Sequence, residues 1–118
     1  MSNPLKKIRI LFVDDEINNL HAFKAAFRFD YDITVAQSAS EAETWLEQNE
    51  VDLILCDQRM PGKTGVEFFS SILKKHPKPI RILVTGYTDI ESVIKAINLG
   101  HVFRYINKPW NEAEIEVQ

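Results

Sequence analysis

The sequence predicts a doubly wound α/β domain with a five-stranded parallel sheet, and three observations predict it. Short apolar, β-branched runs alternate five times with segments of helical period. The connections are short, and no internal repeat interrupts them. The runs stop at polar or charged residues, as strands do at the carboxyl rim of an open parallel sheet, where the functional crevice lies. Such alternation places helices on both faces of the sheet, and right-handed crossovers prune the topologies. The second run is the least apolar and suits an edge, so the expected strand order is 2-1-3-4-5.

Strand one is expected at residues 8–13, stopping at the acids Asp14, Asp15 and Glu16. Helix one follows over about 18–29, with Leu20, Phe23, Ala26 and Phe27 as its buried stripe. Residues 30–32 turn the chain into strand two, 33–36. Ser40 and Glu43 have capping-box spacing and open helix two, which ends near Asn49 and turns Ala39, Ala42 and Leu46 inward, with Trp45 beside them.

Strand three is the apolar run Leu53, Ile54, Leu55 and Cys56, running into Asp57 and then a turn at Met60, Pro61 and Gly62. Thr64 and Glu67 form a second capping box, opening helix three with Val66, Phe69, Ile72 and Leu73 inward. Lys74 and Lys75 suit the last turn of that helix, and Pro77 and Pro79 stop it. Strand four is residues 80–85, ending at Thr85. Asp89 caps helix four, whose buried face is Ile90, Val93, Ile94 and Ile97 and whose end is Gly100. Strand five is 102–106, ending at Asn107, Lys108 and Pro109. Helix five opens after Trp110 with Asn111 as cap, and only about two turns of it precede Gln118. A helix that short suggests a piece of a longer protein with a downstream module.

The chain of 118 residues is sized for one domain, residues 1–118, with 1–7 as a flexible lead. Its 45% apolar and 26% charged residues are ordinary globular composition. A formal net charge of −3 supplies no basic footprint for nucleic acid or an anionic membrane. The single cysteine, Cys56, excludes an intrachain disulfide and fits a reducing cytoplasm. It reads as a packing residue. His21, His76 and His101 are scattered and form no ligand set. Gly62, Lys63 and Thr64 imitate the tail of a phosphate-binding loop, but that motif needs a glycine where Asp57 stands.

In the expected order, the strands that end in chemistry are neighbours. Strand one contributes Asp14 and Asp15, strand three Asp57, strand four Thr85 and strand five Lys108; strand two, at the edge, offers the uncharged Gln37 and Ser38. Three carboxylates and an ammonium therefore converge on one shallow pocket at the switch point between strands one and three. Carboxylates so close repel, and a hard divalent cation relieves them. Mg2+ suits a few carboxylates with water and a phosphate better than a full protein cage. A carboxylate beside such a cation and a lysine can attack phosphorus and form an aspartyl phosphate.

Here the chain resembles the receiver domains of two-component response regulators, which share a flavodoxin-like fold. The resemblance rests on Val13, Asp14, Asp15 and Glu16; on Asp57 with Met60, Pro61 and Gly62; on Val84, Thr85 and Gly86; and on Lys108 and Pro109. It covers the whole chain except the far end of helix five. It implies that Asp57 accepts a phosphoryl group from a sensor histidine kinase or phosphotransfer protein. It implies Mg2+ held by Asp15, Asp57 and the backbone carbonyl of Arg59, with Asp14 assisting through water. Lys108 and Thr85 would contact the phosphoryl group, and Thr85 and Tyr105 would form the switch pair. The helix four–strand five–helix five face would then change to control an output module or a partner, or to form a homodimer. Neither direct nucleic-acid nor membrane contact is implied, and the chain would catalyse only its own phosphorylation and dephosphorylation.

The sequences around Asp57, Thr85 and Lys108 look like those of receivers joined to signalling phosphohydrolases, cyclases or transcription activators. Two departures stand out. Arg59 and Tyr87 are large residues where they could flank the path of a hydrolytic water, and would slow loss of the phosphoryl group. Residues 100–105 look one residue longer than in short chemotaxis-type receivers. Two competing functions are weaker. A Mg2+-dependent phosphatase would place a second acid where Arg59 stands and needs a cap for substrate. A receiver-like module that is never phosphorylated would have no use for the complete acid and lysine set.

Overall fold

In the computed structural model, which describes residues 7–86, Glu91, Ile94 and 104–107, β3 (Leu53–Asp57) is the middle strand of a five-stranded sheet, and all its residues are buried. It is flanked by β1 (Ile8–Val13) and β4 (Ile80–Thr85), with β2 (Tyr31–Ala36) and β5 (Arg104–Asn107) at the edges. Every pairing is parallel, in the order β2-β1-β3-β4-β5. The expected order holds because a strand with helices on both faces must be apolar on both sides, and β1, β3 and β4 are. β2 is not: Asp32 is exposed, and Tyr31, Thr34 and Val35 are only half-buried.

Period-2 alternation divides the core in two. Ile10 and Phe12 of β1, Leu53 and Leu55 of β3 and Ile82 and Val84 of β4 pack on one face against α1 (Ile17–Phe27). Phe12, Phe23 and Phe27 form a chain of tilted rings there, 4.6 and 4.8 Å between centroids. Leu11, Val13, Ile54, Cys56 and Leu83 point the other way, toward Ala42 and Leu46 of α2 (Ala39–Leu46) and Phe68, Phe69 and Ile72 of α3 (Gly65–Ile72).

Several boundaries differ from expectation for local reasons. α1 stops at Phe27, and Ala26 is exposed, because the stripe set by Leu20, Phe23 and Phe27 already fills the α1 face. β2 starts two residues early, since its pairing with β1 begins at Ile8 opposite Tyr31. α2 is capped by Ser38, not Ser40: the Ser38 hydroxyl accepts from the Glu41 amide at 3.0 Å. α3 buries Phe68, unassigned in the sequence reading, whereas Val66 and Leu73 are half-buried. That helix ends at Ile72, so Lys74 and Lys75 lie beyond its last turn. Strand five is described over Arg104–Asn107, and residues 102 and 103 lie outside the described residues. Ile94, expected on a buried face, is 45% exposed. Glu91 is exposed and helical, and the other residues of helix four, and helix five, lie outside the described residues.

Candidate functional site

The sheet register brings the acids together. Val13 pairs with Cys56, so the next residues, Asp14 and Asp57, stand level at the carboxyl ends of β1 and β3. Asp57 in turn pairs with Val84, and Thr85 follows it. Carboxylate oxygens of Asp14, Asp15 and Asp57 lie within 4.8 Å of one another. Asp14 and Asp57 are buried, 2% and 5% exposed, and Asp15 is exposed. Asp14 is held from three sides: its amide donates to the Ala36 carbonyl at 3.1 Å, and its carboxylate accepts from the Glu16 amide at 3.0 Å and from Asn19 Nδ2 at 3.1 Å. The sequence reading assigned Asn19 no part. Its spacing five residues after Asp14, in the first turn of α1, was the available signal.

The donor set fits a hard divalent cation. It offers only oxygens, it carries a surplus of negative charge, and one of its three carboxylates is open to solvent, leaving room for water ligands. Beneath the acids, burial pushes the Cys56 thiol well above its usual value, and the charges of Asp57 and Asp14 push it further. Its Sγ donates to the Asp57 carbonyl at 3.3 Å. It is a packing residue, not a nucleophile.

The loop after Asp57 is built around Gly62. Its φ of +83° suits glycine, and the Lys63 amide donates to the Pro61 carbonyl at 3.0 Å across it, a γ-turn. Lys63 Nζ then donates to Glu43 Oε1 of α2 at 3.1 Å. Gln58, which the sequence reading passed over, is 9% exposed and lies between Asp57 and the loop. Its amide donates to the Val84 carbonyl, its carbonyl accepts from the Gly65 amide, and its side-chain Oε1 accepts from the Val66 amide, all at 3.0 Å. Gly65 sits so close that a Cβ there would stand 2.7 Å from the Asp57 carbonyl oxygen and 2.5 Å from Leu83 Cδ1.

Thr85 is buried, and its hydroxyl donates to the Gly86 carbonyl at 3.2 Å. Arg59 is exposed on the rim of the loop. Strand β5 carries Tyr105 and ends at Asn107, opposite Thr85. Lys108 and Tyr87 lie outside the described residues. A groove of about 480 Å³ opens at the opposite end of the sheet, between Val51, Asp52, Pro77 and Ile80. Asp52 there is engaged by Arg9, and the convergent acids are not part of it.

The comparisons with known proteins agree with this geometry. Residues 10–118 match the family described as response regulator receiver domain. The chain is 40% identical over 105 residues to the hydrogenase transcriptional regulatory protein HoxA of Cupriavidus necator, an alignment covering 89% of this chain and 22% of that protein. It is 30% identical over 103 residues to the transcriptional regulatory protein ZraR of Escherichia coli, covering 86% and 23%. The chain thus spans under a quarter of the length of these curated relatives. The crystal structure of an adenylate cyclase from Rhodopirellula baltica superposes with a TM-score of 0.88 at 32% identity, covering 94% of this chain and 83% of that one. No described helix is long and apolar enough to cross a membrane. The chain belongs to the response regulator receiver family and is a receiver domain of the two-component type.

Proposed function

We propose that Asp57 is the phosphoacceptor of this receiver, and that the chain passes a signal from a sensor histidine kinase or phosphotransfer protein to an output module or partner. The observation that carries this is the meeting of Asp14, Asp15 and Asp57 oxygens within 4.8 Å at adjacent strand ends. Asp15, Asp57 and the Arg59 carbonyl would hold Mg2+, with Asp14 acting through water. The cation would neutralise charge on the phosphoryl oxygens as they rearrange.

An Asp57 carboxylate oxygen attacks phosphorus, forming the O–P bond as the P–N bond to the kinase histidine breaks. The imidazole leaves with the electron pair and takes up a proton. Burial of Asp57 holds the nucleophile in one orientation and keeps competing water to the open side, near Asp15. Lys108 and the Thr85 hydroxyl would bind the phosphoryl oxygens. For that, Thr85 gives up its bond to the Gly86 carbonyl, and Tyr105 follows as the second half of the switch. The added charge of about −1.5 to −2 biases a two-state surface on helix four, strand five and helix five, through which the chain also forms a homodimer. Arg59 and Tyr87 flank the approach of hydrolytic water and prolong the phosphorylated state. The domain works in the cytoplasm and turns over no substrate other than its own phosphoryl group.

Acetyl phosphate or beryllofluoride with Mg2+ tests this. A single adduct on Asp57 in the intact domain, absent from Asp57→Asn, is expected. No adduct would overturn the reading, and turnover of unrelated phosphate esters would point to a phosphatase.

A further inference from the structure

An α-helix leaves its first four amide groups without intrahelical acceptors. In α3 all four are accounted for. The capping box satisfies two: the Thr64 amide donates to Glu67 Oε1 at 2.9 Å, and the Glu67 amide to Thr64 Oγ1 at 3.2 Å. Gln58 satisfies the other two, the Gly65 amide with its carbonyl and the Val66 amide with its side-chain Oε1. The backbone bond would form with any residue at position 58, but the side-chain bond needs an acceptor of glutamine's reach. Gln58 is also joined to β4 through its amide and the Val84 carbonyl. It stands between Asp57 and Arg59, the two residues that bracket the proposed cation site.

We propose that Gln58 is a positioning residue: its side-chain bond to the Val66 amide locks the helix onto the strand end and so fixes where Asp57 and the Arg59 carbonyl face. The proposal rests on the reading of Asp57 and Arg59 given above. The reach across eight residues to a partly buried amide distinguishes it from an ordinary cap, which serves only its own helix. Without the side-chain acceptor, the partly buried Val66 amide loses its partner, and the loop and helix part to let water reach it. That movement would pull the carbonyl after Gln58 away from the acids.

The test compares Gln58→Met, which keeps length but has no acceptor, Gln58→Asn, which has an acceptor too short to reach, and Gln58→Glu, which keeps both. Mg2+ affinity is measured by titration of the folded domain, and the Val66 amide is followed by NMR. Gln58→Met and Gln58→Asn are each expected to weaken Mg2+ binding about tenfold, the size seen when a support of a metal ligand is removed, and to release the Val66 amide to exchange. Gln58→Glu is expected to restore both. Either Gln58→Met or Gln58→Asn alone suffices if the other does not fold. A released amide with unchanged Mg2+ affinity would overturn the proposal, leaving Gln58 as a helix cap only. Gln58→Glu behaving like Gln58→Met would also overturn it. A wild-type domain that binds no Mg2+ would instead overturn the underlying site reading, and is recognised because no variant is needed to see it.

Discussion

The Glu43 carboxylate joins three pieces of chain at one atom. Its Oε1 accepts from Lys63 Nζ at 3.1 Å and lies 2.7 Å from the Ser71 hydroxyl, so α2, the loop after Asp57 and α3 are tied together. Partial burial pushes this carboxyl upward, but the Ser71 and Lys63 hydrogen bonds outweigh it and hold it below the usual value of 4.5. A folded-state value below the unfolded one gives stability that is present above about pH 4.5 and is lost as pH falls through the folded value. Glu43→Gln should therefore cost at most about 1 kcal/mol at pH 7, since both partners are substantially exposed. The difference from wild type should shrink as the pH is lowered from 7 to below the folded value, where wild-type Glu43 is also neutral. Urea unfolding at the two pH values measures this. An equal difference at both would mean the carboxylate's charge contributes nothing.

At the scale of the element, α3 is where the site is built, because its first residue touches the strand that carries Asp57. Gly65 is glycine by close approach: a methyl group there would clash with both the Leu83 side chain and the Asp57 backbone. Gly65→Ala should cost about 1–3 kcal/mol, the usual penalty for overpacking, and should slow phosphoryl uptake by moving Asp57. A variant of unchanged stability and unchanged uptake would show that Leu83 and the Asp57 backbone both yield without cost. The capping box at Thr64 was legible in the sequence because a threonine and a glutamate three apart, just before an apolar run, have one structural meaning there. Helix α2 was not legible in the same way. Ser38 with Glu41 and Ser40 with Glu43 both have the right spacing, and only the end of β2 at Ala36 decides between them. Gln58 was harder still. A glutamine beyond a strand is usually solvated, and nothing local shows that two amides of the next helix lack acceptors. Ala26 failed for a related reason: helical period admits it to the apolar stripe, but three large side chains leave it no room.

Across the whole molecule, the strand order accounts for why so much of the site could be read before the fold was seen. Each acid follows an apolar run, and parallel register brings ends of equal phase to one rim, so the neighbouring strand ends carrying Asp14 and Asp57 had to meet. The same convergence works against stability. Three carboxylates share a space of 4.8 Å, and the exposed Asp15 can be neutralised without emptying the core. Asp15→Asn should raise the stability of the metal-free domain by about 0.5 kcal/mol through relief of repulsion near the surface. Mg2+ at ten times its dissociation constant should stabilise the wild type by about 1.4 kcal/mol, because it binds only the folded chain. Asp15→Asn should lose most of that gain, so that added Mg2+ reverses the order of stability of the two proteins. Thermal unfolding with and without Mg2+ decides it: if Asp15→Asn is less stable in both conditions, the clustered acids are not in conflict and the cation is not what reconciles them.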